Sequence, residues 1–255
     1  MKVLRVLHAG RTFYGQLLAE ENAVACLDRT LGLTDPVPLA EVVVLPPLSP
    51  SKVVCAAGNY HSRLRQTERT APSEPILFLR PPSAVVGNGQ EIVLPRGATR
   101  VEPCGELAVV MGRTCRHVTP EAVPHFLFGY CCANGVLAAD LLERDGCPDR
   151  AGGFDSFAAL GPWIETSVAD PSALALRTLR NGLPVQEGNT ADMVFAPLAL
   201  VSFVSSVMTL APGDVILTGT PAGGEPLAPG DEVRVEIEGV GVLINPVRAE
   251  AEPLQ

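Results

Sequence analysis

An α+β fold, predominantly β, is what this sequence predicts, and three observations predict it. Its 24 prolines and 24 glycines punctuate 255 residues so closely that few uninterrupted helical windows remain. Short Val, Ile and Leu runs bounded by turn residues recur between them. The windows that could be helical are brief, so the expectation is a strand-rich body with few short helices.

Residues 1 to about 45 alternate short apolar pieces with polar turns, and the Pro-Pro and Ser-Pro pairs of LPPLSPSK then read as a connection. This gives a small N-terminal domain at 1–48 and a main domain at 49–255. KVVCAAGNY, from Lys52, has a buried-strand pattern ending in Gly-Asn, and HSRLRQTER after it reads as a short polar helix. ILFLR (Ile76 to Arg80), EIVLP (Glu91 to Pro95) and ELAVVMG (Glu106 to Gly112) are short, turn-bounded strands. Thr119, Pro120 and Glu121 predict a helix over 119–128, with an N-cap, Pro at the first helical position and an acid in the first turn. It leads into a strand around Phe128 to Cys132. The Gly- and Asp-rich stretch from Asp145 to Asp155 reads as a loop. LALRTLRNGLPVQEG reads as a hairpin turning at Asn181-Gly182. Pro197 to Met208 is the best helix window, and VILTGTP and EVRVEIEGVGVLINPV supply the last strands.

Composition narrows the function classes. With 47% hydrophobic and 18% charged residues, the chain can bury a substantial core. No apolar run approaches the roughly 20 residues of a membrane span. The N-terminus MKVLRVLHAGR breaks its apolar residues with Arg5, His8 and Arg11, so neither a targeting segment nor a membrane partner is expected, and a cytoplasmic location is. A net charge of -9 without any Lys/Arg run argues against a nucleic-acid partner. Seven cysteines include no CxxC pair, and the adjacent Cys131 and Cys132 would make a strained mutual disulfide, so buried reduced thiols are expected.

Five blocks then stand in order: GNY at 58–60, ILFLRPPSAVVG at 76–87, GELAVVMGR at 105–113, GYCCANGVLAADL at 129–141, and NTADM followed by MTLAPGDVILTGTPAG ending at 223. Together they resemble the fumarylacetoacetate hydrolase family over most of residues 52–247. The resemblance implies a mixed β-sandwich roll, a bound Mg2+ or Mn2+, and cleavage, decarboxylation or isomerisation of 2-oxo acids.

The same resemblance implies ligand positions. The family's ELAVVxG strand carries a second Glu two residues before the first, so both carboxylates share one face; here those positions are Cys104 and Glu106. The third ligand is an Asp directly after Asn, and here the dipeptide is Asn134-Gly135. Mg2+ and Mn2+ are hard cations that want oxygen ligands, and the site's negative charges fall from three to one. Cys104 reads as a small buried hydrophobe rather than a zinc ligand. Glu102 and Asp140 are nearby candidate substitutes, Glu102 sharing the face of Glu106 if the chain through Pro103 stays extended.

The family's His/Glu dyad would fall at Arg63 and Gln66. His61 is displaced by two residues, about 200° around a helix, and reads as a surface His unless a loop turns it inward. The family's cations for substrate carboxylates would fall at Ala139 and Gly152. Asn59, Tyr60, Arg80, Ser83, Asn134, Gln186, Thr218, Gly219 and Thr220 survive and could line a polar pocket for an anionic small molecule. Thr220 has an equally ordinary reading as a strand-end hydroxyl bonded to backbone.

Within the family, this pattern of losses is similar to the metal-site-depleted half of the two-part homoprotocatechuate-pathway isomerase/decarboxylase. That similarity implies a small 2-oxo di- or tricarboxylic acid as substrate. It also implies a homodimer, or a hetero-oligomer with a metal-competent family subunit, and weak or absent Mg2+ or Mn2+ binding here. Two alternatives remain open: an active hydrolase or isomerase rearranged around Glu106, Glu102 and His61, and a metal-free 2-oxo-acid-binding or structural partner subunit. From sequence alone, Cys104→Glu with Gly135→Asp is expected to restore divalent-ion binding.

Overall fold

The computed structural model describes residues 1–252. All but two of the strands belong to two sheets, the exceptions Val101–Glu102 and Leu137–Ala138 pairing with each other. The larger, twelve-stranded sheet runs through Val37–Pro38, Ala23–Cys26, Arg11–Leu18, Lys2–His8, Ala158–Glu165, Leu127–Gly135, Gly105–Met111, Val215–Leu217, Val53–Ala57 and Ile76–Arg80, with Val43–Val44 and Val85–Val86 paired off this path. The second sheet is five-stranded: Leu183–Asn189, Ala175–Arg180, Glu232–Ile237, Gly241–Ala249 and Ile92–Leu94. The expected predominantly β architecture is what is found.

The Gly105–Met111 strand shows why the central segments read as continuous apolar runs. Leu107, Val109 and Met111 face a core shared with Leu176, Val235 and Leu243 of the second sheet and with Leu200, Val201 and Val204 of the helix Pro197–Val207. Ala108 and Val110 face the opposite way, against Cys131, Ala133, Leu160 and Ile164. A strand buried on both faces has no polar alternation to display. The N-terminal strands gather a cluster of their own from Leu4, Val6, Phe13, Val24 and Val37. Their first strand joins the main sheet through Lys2 opposite Glu165 and Val3 opposite Ile164.

The hairpin at Asn181-Gly182 forms as expected. Both residues take left-handed backbone, φ 53° and 78°, between Ala175–Arg180 and Leu183–Asn189, the signature of a type I′ turn. The helix expected over 119–128 does not form. Residues 120–122 are a turn and Val123–Phe126 a single 3-10 turn, because Pro124 has no N–H for a fifth helical position. The stretch 145–155 is not all loop either. The helix Ala139–Asp145 ends on left-handed Gly146, and a second helix, Pro148–Gly152, starts on Pro148. No helix among the described residues is long and apolar enough to cross a membrane.

Replacing Gly182 by Val puts a β-branched residue into left-handed backbone, at a cost of about 1–2 kcal/mol. The urea midpoint should fall accordingly; an unchanged midpoint would mean that the type I′ turn does not control hairpin stability.

Candidate active site around Glu106

Glu106 opens the central strand, opposite Ala133, and is 5% exposed. Its Oε2 accepts the Gly219 N–H at 2.6 Å. Gly219 is held by a local network just beyond the Val215–Leu217 strand. Thr218 Oγ1 donates to the Leu107 carbonyl at 2.8 Å. Asn59 Nδ2 donates to the carbonyls of Thr218 and Phe195, while its Oδ1 accepts the Phe195 N–H. Asn59 and Thr218 thus fix the peptide that binds the carboxylate. Burial pushes Glu106 up to about 7, against the opposing pull of the Arg80 charge and the Gly219 N–H.

Arg80 ends the edge strand Ile76–Arg80 and is 3% exposed. Its Nη1 donates to the carbonyls of Val136, Gly152 and Phe157 at 2.7–2.8 Å, and its Nη2 to that of Gly135 at 2.9 Å. One guanidinium therefore ties three separate segments together. Cys55, on the adjacent strand, also feels its charge, although burial dominates and pushes that thiol up to about 12.

At Cys104 and Gly135, where the resemblance implies ligands, the structure places other chemistry. Cys104 is buried and its thiol is likewise pushed up to about 12, mainly by burial, so it stays protonated at neutral pH. Its N–H donates to Asn134 Oδ1 at 2.9 Å. A β-carbon on Gly135 would collide with Glu106 Oε1 and come within 3.3 Å of Arg80 Nη2. Asp140 is turned to Thr99, accepting from its N–H and hydroxyl at 2.7 Å. Glu102 lies 3.6 Å from Arg63 Nη2 and 3.3 Å from Arg100 Nε, so both its oxygens face cations. Among the described residues, no group of three His, Cys, Asp or Glu side chains is placed to hold a metal ion. The donors present do not fit Mg2+ or Mn2+.

The dyad positions close over the site. Arg63 Nη1 donates to Gln66 Oε1 at 2.9 Å and to the Gly223 carbonyl at 2.8 Å, while Gln66 Oε1 accepts the Gly223 N–H at 3.0 Å. Gln186 Oε1 accepts the Gly105 N–H at 2.9 Å, and its Nε2 donates to Thr220 Oγ1 at 2.9 Å. Tyr60 is buried, with burial, and secondarily Glu106, raising its hydroxyl far above the usual range. Its Oη and Asn134 Nδ2 have no hydrogen-bond partner. His61 is exposed at the start of the helix His61–Gln66, where it faces Asp192, and Ser83 is exposed in the turn Pro82–Ala84. The structure thus gathers Asn59, Tyr60, Arg80, Glu106, Asn134, Thr218 and Gly219 inside, with Gln186 and Thr220 alongside. It leaves His61 and Ser83 at the surface. Cys55 lies outside the five sequence blocks, and Asp192, although inside NTADM, is not singled out there as a site residue; its Oδ2 accepts the Ser62 N–H.

The buried carboxylate has a stability signature. Glu106 holds its proton more tightly folded, at about 7, than at its ordinary value of 4.5. The linked stabilisation is therefore complete below the ordinary value and is lost as pH rises through about 7. Urea unfolding between about pH 5 and pH 8 should show this loss, and Glu106→Gln should remove it. An identical pH slope in the variant would show that the carboxylate is solvated.

Comparison with known proteins follows the same outline. Residues 52–248 match the family model described as fumarylacetoacetate (FAA) hydrolase C-terminal. An uncharacterized protein of Archaeoglobus fulgidus is 48% identical over 209 residues, covering 82% of this chain and 83% of that one. The 4-hydroxyphenylacetate degradation bifunctional isomerase/decarboxylase of Salmonella dublin is 39% identical over 208 residues, which are 80% of this chain and 48% of that enzyme, so the match spans about half its length. The crystal structure of 5-carboxymethyl-2-hydroxymuconate delta-isomerase from Mycobacterium smegmatis superposes with a TM-score of 0.89 at 37% identity, over 99% of this chain and 100% of that one. Maleylpyruvate hydrolase from Sphingobium sp. SYK-6, solved with manganese (II) and pyruvate, superposes at 0.81 with 28% identity, over 98% and 100%. The expected family, and its association with a divalent ion in a relative, both stand. Matched by that family model over residues 52–248 and by a relative 48% identical over 82% of its length, the chain belongs to the fumarylacetoacetate hydrolase family.

Proposed function

We propose that this chain is the metal-depleted member of an isomerase/decarboxylase pair acting on 2-oxo (enol) di- and tricarboxylic acids of 4-hydroxyphenylacetate breakdown. The observation that carries the reading is the company of Glu106: bare Gly135, a protonated Cys104 thiol and the Arg80 guanidinium, where a hard cation needs carboxylates. The length of the Salmonella relative, about twice the matched region, supports a function divided between two such units. In this reading the partner subunit brings the metal centre, and the present chain brings a rigid matching fold and the polar rim of Arg63, Gln186 and Thr220. A two-fold pairing suits a strand-rich chain whose sheet edges need cover.

A metal-free module that binds a 2-oxo acid is the second reading, favoured by the buried donors Tyr60 Oη and Asn134 Nδ2 that have no partner. Calorimetric titration of the metal-stripped protein with Mn2+, with and without oxalate as an enolate mimic, separates the readings. The expected result is no Mn2+ binding and no stabilisation by oxalate. Oxalate-coupled Mn2+ uptake would restore the rearranged active enzyme using Glu106, Glu102 and His61, whereas a rise in melting temperature with oxalate alone would favour the binding module. Mixing with a metal-competent family subunit should yield a hetero-oligomer by size exclusion and faster isomerisation of 2-hydroxyhepta-2,4-diene-1,7-dioate.

A further inference from the structure

We propose that Arg80 is a fixed internal cation and Gly152 its steric complement, the two forming, with Gly135, one coupled substitution that closes the site to divalent ions. This rests on the metal-depleted reading above but concerns what occupies the space, and it can fail separately.

The geometry at Gly152 carries the inference. A β-carbon there would lie 2.9 Å from Arg80 Cζ, 3.1 Å from Nη2 and 3.2 Å from Nη1, against the centre of the guanidinium rather than its edge. Contacts that short require something to shift, and this guanidinium is not a free side-chain end. It is pinned by four carbonyls from three segments and is 3% exposed. Neither Gly152 nor Gly135 has a positive φ, so the backbone does not call for glycine at either place. Space does. At Gly135 the missing β-carbon lies between the two charged groups, blocked by Glu106 Oε1 on one side and 3.3 Å from Arg80 Nη2 on the other.

Charge points the same way. A buried guanidinium is costly unless its N–H groups find acceptors and a counter-charge is near. The four carbonyls supply acceptors for the two terminal nitrogens, while the buried Nε has none. Glu106 is the acid whose ionisation Arg80 favours across this space, although no carboxylate among the described residues reaches ion-pair distance of the guanidinium. A divalent ion beside Glu106 would face this fixed positive charge, which mutual repulsion disfavours. The proposed role of Arg80 departs from the sequence-based expectation for Cys104→Glu with Gly135→Asp: the pair restores carboxylates but leaves the guanidinium in place.

Thermal melts and Mn2+ titrations test the coupling together. Gly152→Ala should lower the melting temperature of the native chain, and that loss should shrink by at least half in an Arg80→Leu background. Should Arg80→Leu fail to fold, the Arg80→Lys background gives the same readout, since its ammonium lacks the planar group that Gly152 accommodates. Additive losses would overturn the coupling. In the second arm, Cys104→Glu/Gly135→Asp should bind no Mn2+ by calorimetry, and the same pair with the uncharged Arg80→Leu or Arg80→Gln should bind it. Equal Mn2+ binding with Arg80 present, or none in any folded variant lacking it, would overturn the role of Arg80. Mn2+ binding by the unaltered chain would instead sink the metal-depleted reading, leaving the packing result to be judged by the melts.

Discussion

A buried guanidinium needs acceptors wherever it lies, and in this protein the two terminal nitrogens of Arg80, though not its Nε, find them in a way that organises the region around Glu106. Arg80 reaches from the edge strand to the carbonyls of Gly135 and Val136 at the end of one central strand, Gly152 at the end of a short helix, and Phe157 just before another strand. A group this enclosed draws its acceptors from the protein, so each carbonyl is held where the N–H directs it. The two short helices between residues 139 and 152 are fixed at their far end by this clamp. Glu106 completes the arrangement from the opposite side, its other oxygen bound by a backbone N–H.

The central strand explains how so polar a group can sit in such a place. Gly105–Met111 is buried along its length, and its two faces serve two different cores. Glu106 lies at the end of that strand, where the next residues inward are all apolar. Its carboxylate is therefore solvated by the protein alone, through one N–H and one distant cation, and its raised proton affinity follows.

Much of the scaffold was legible in the sequence. Ile76–Arg80 could be read from its turn-bounded apolar run, and the hairpin from Asn181-Gly182, because both signals are local. The helix over 119–128 misled because the start signals at Thr119 and Pro120 were strong and the obstruction at Pro124 came four residues later. At the site, the replacement of carboxylates at 104 and 135 was visible residue by residue. What replaced them was not, since Arg80 meets Gly135 and Gly152 across separations of 55 and 72 residues. A pattern read along the chain carries no sign that a side chain at one position fills the space vacated at two others.

The strand that carries Arg80 is also the margin of the twelve-stranded sheet, with Ile76 53% and Leu79 47% exposed. Sheet margins open more readily than sheet centres, because one row of their backbone groups has no neighbouring strand. A deeply buried charge of the protein is thus attached to an edge strand, and the two are mechanically linked. Any chain that lies along that margin and quiets its breathing will also steady the guanidinium at the centre, making surface contact and interior order a single property.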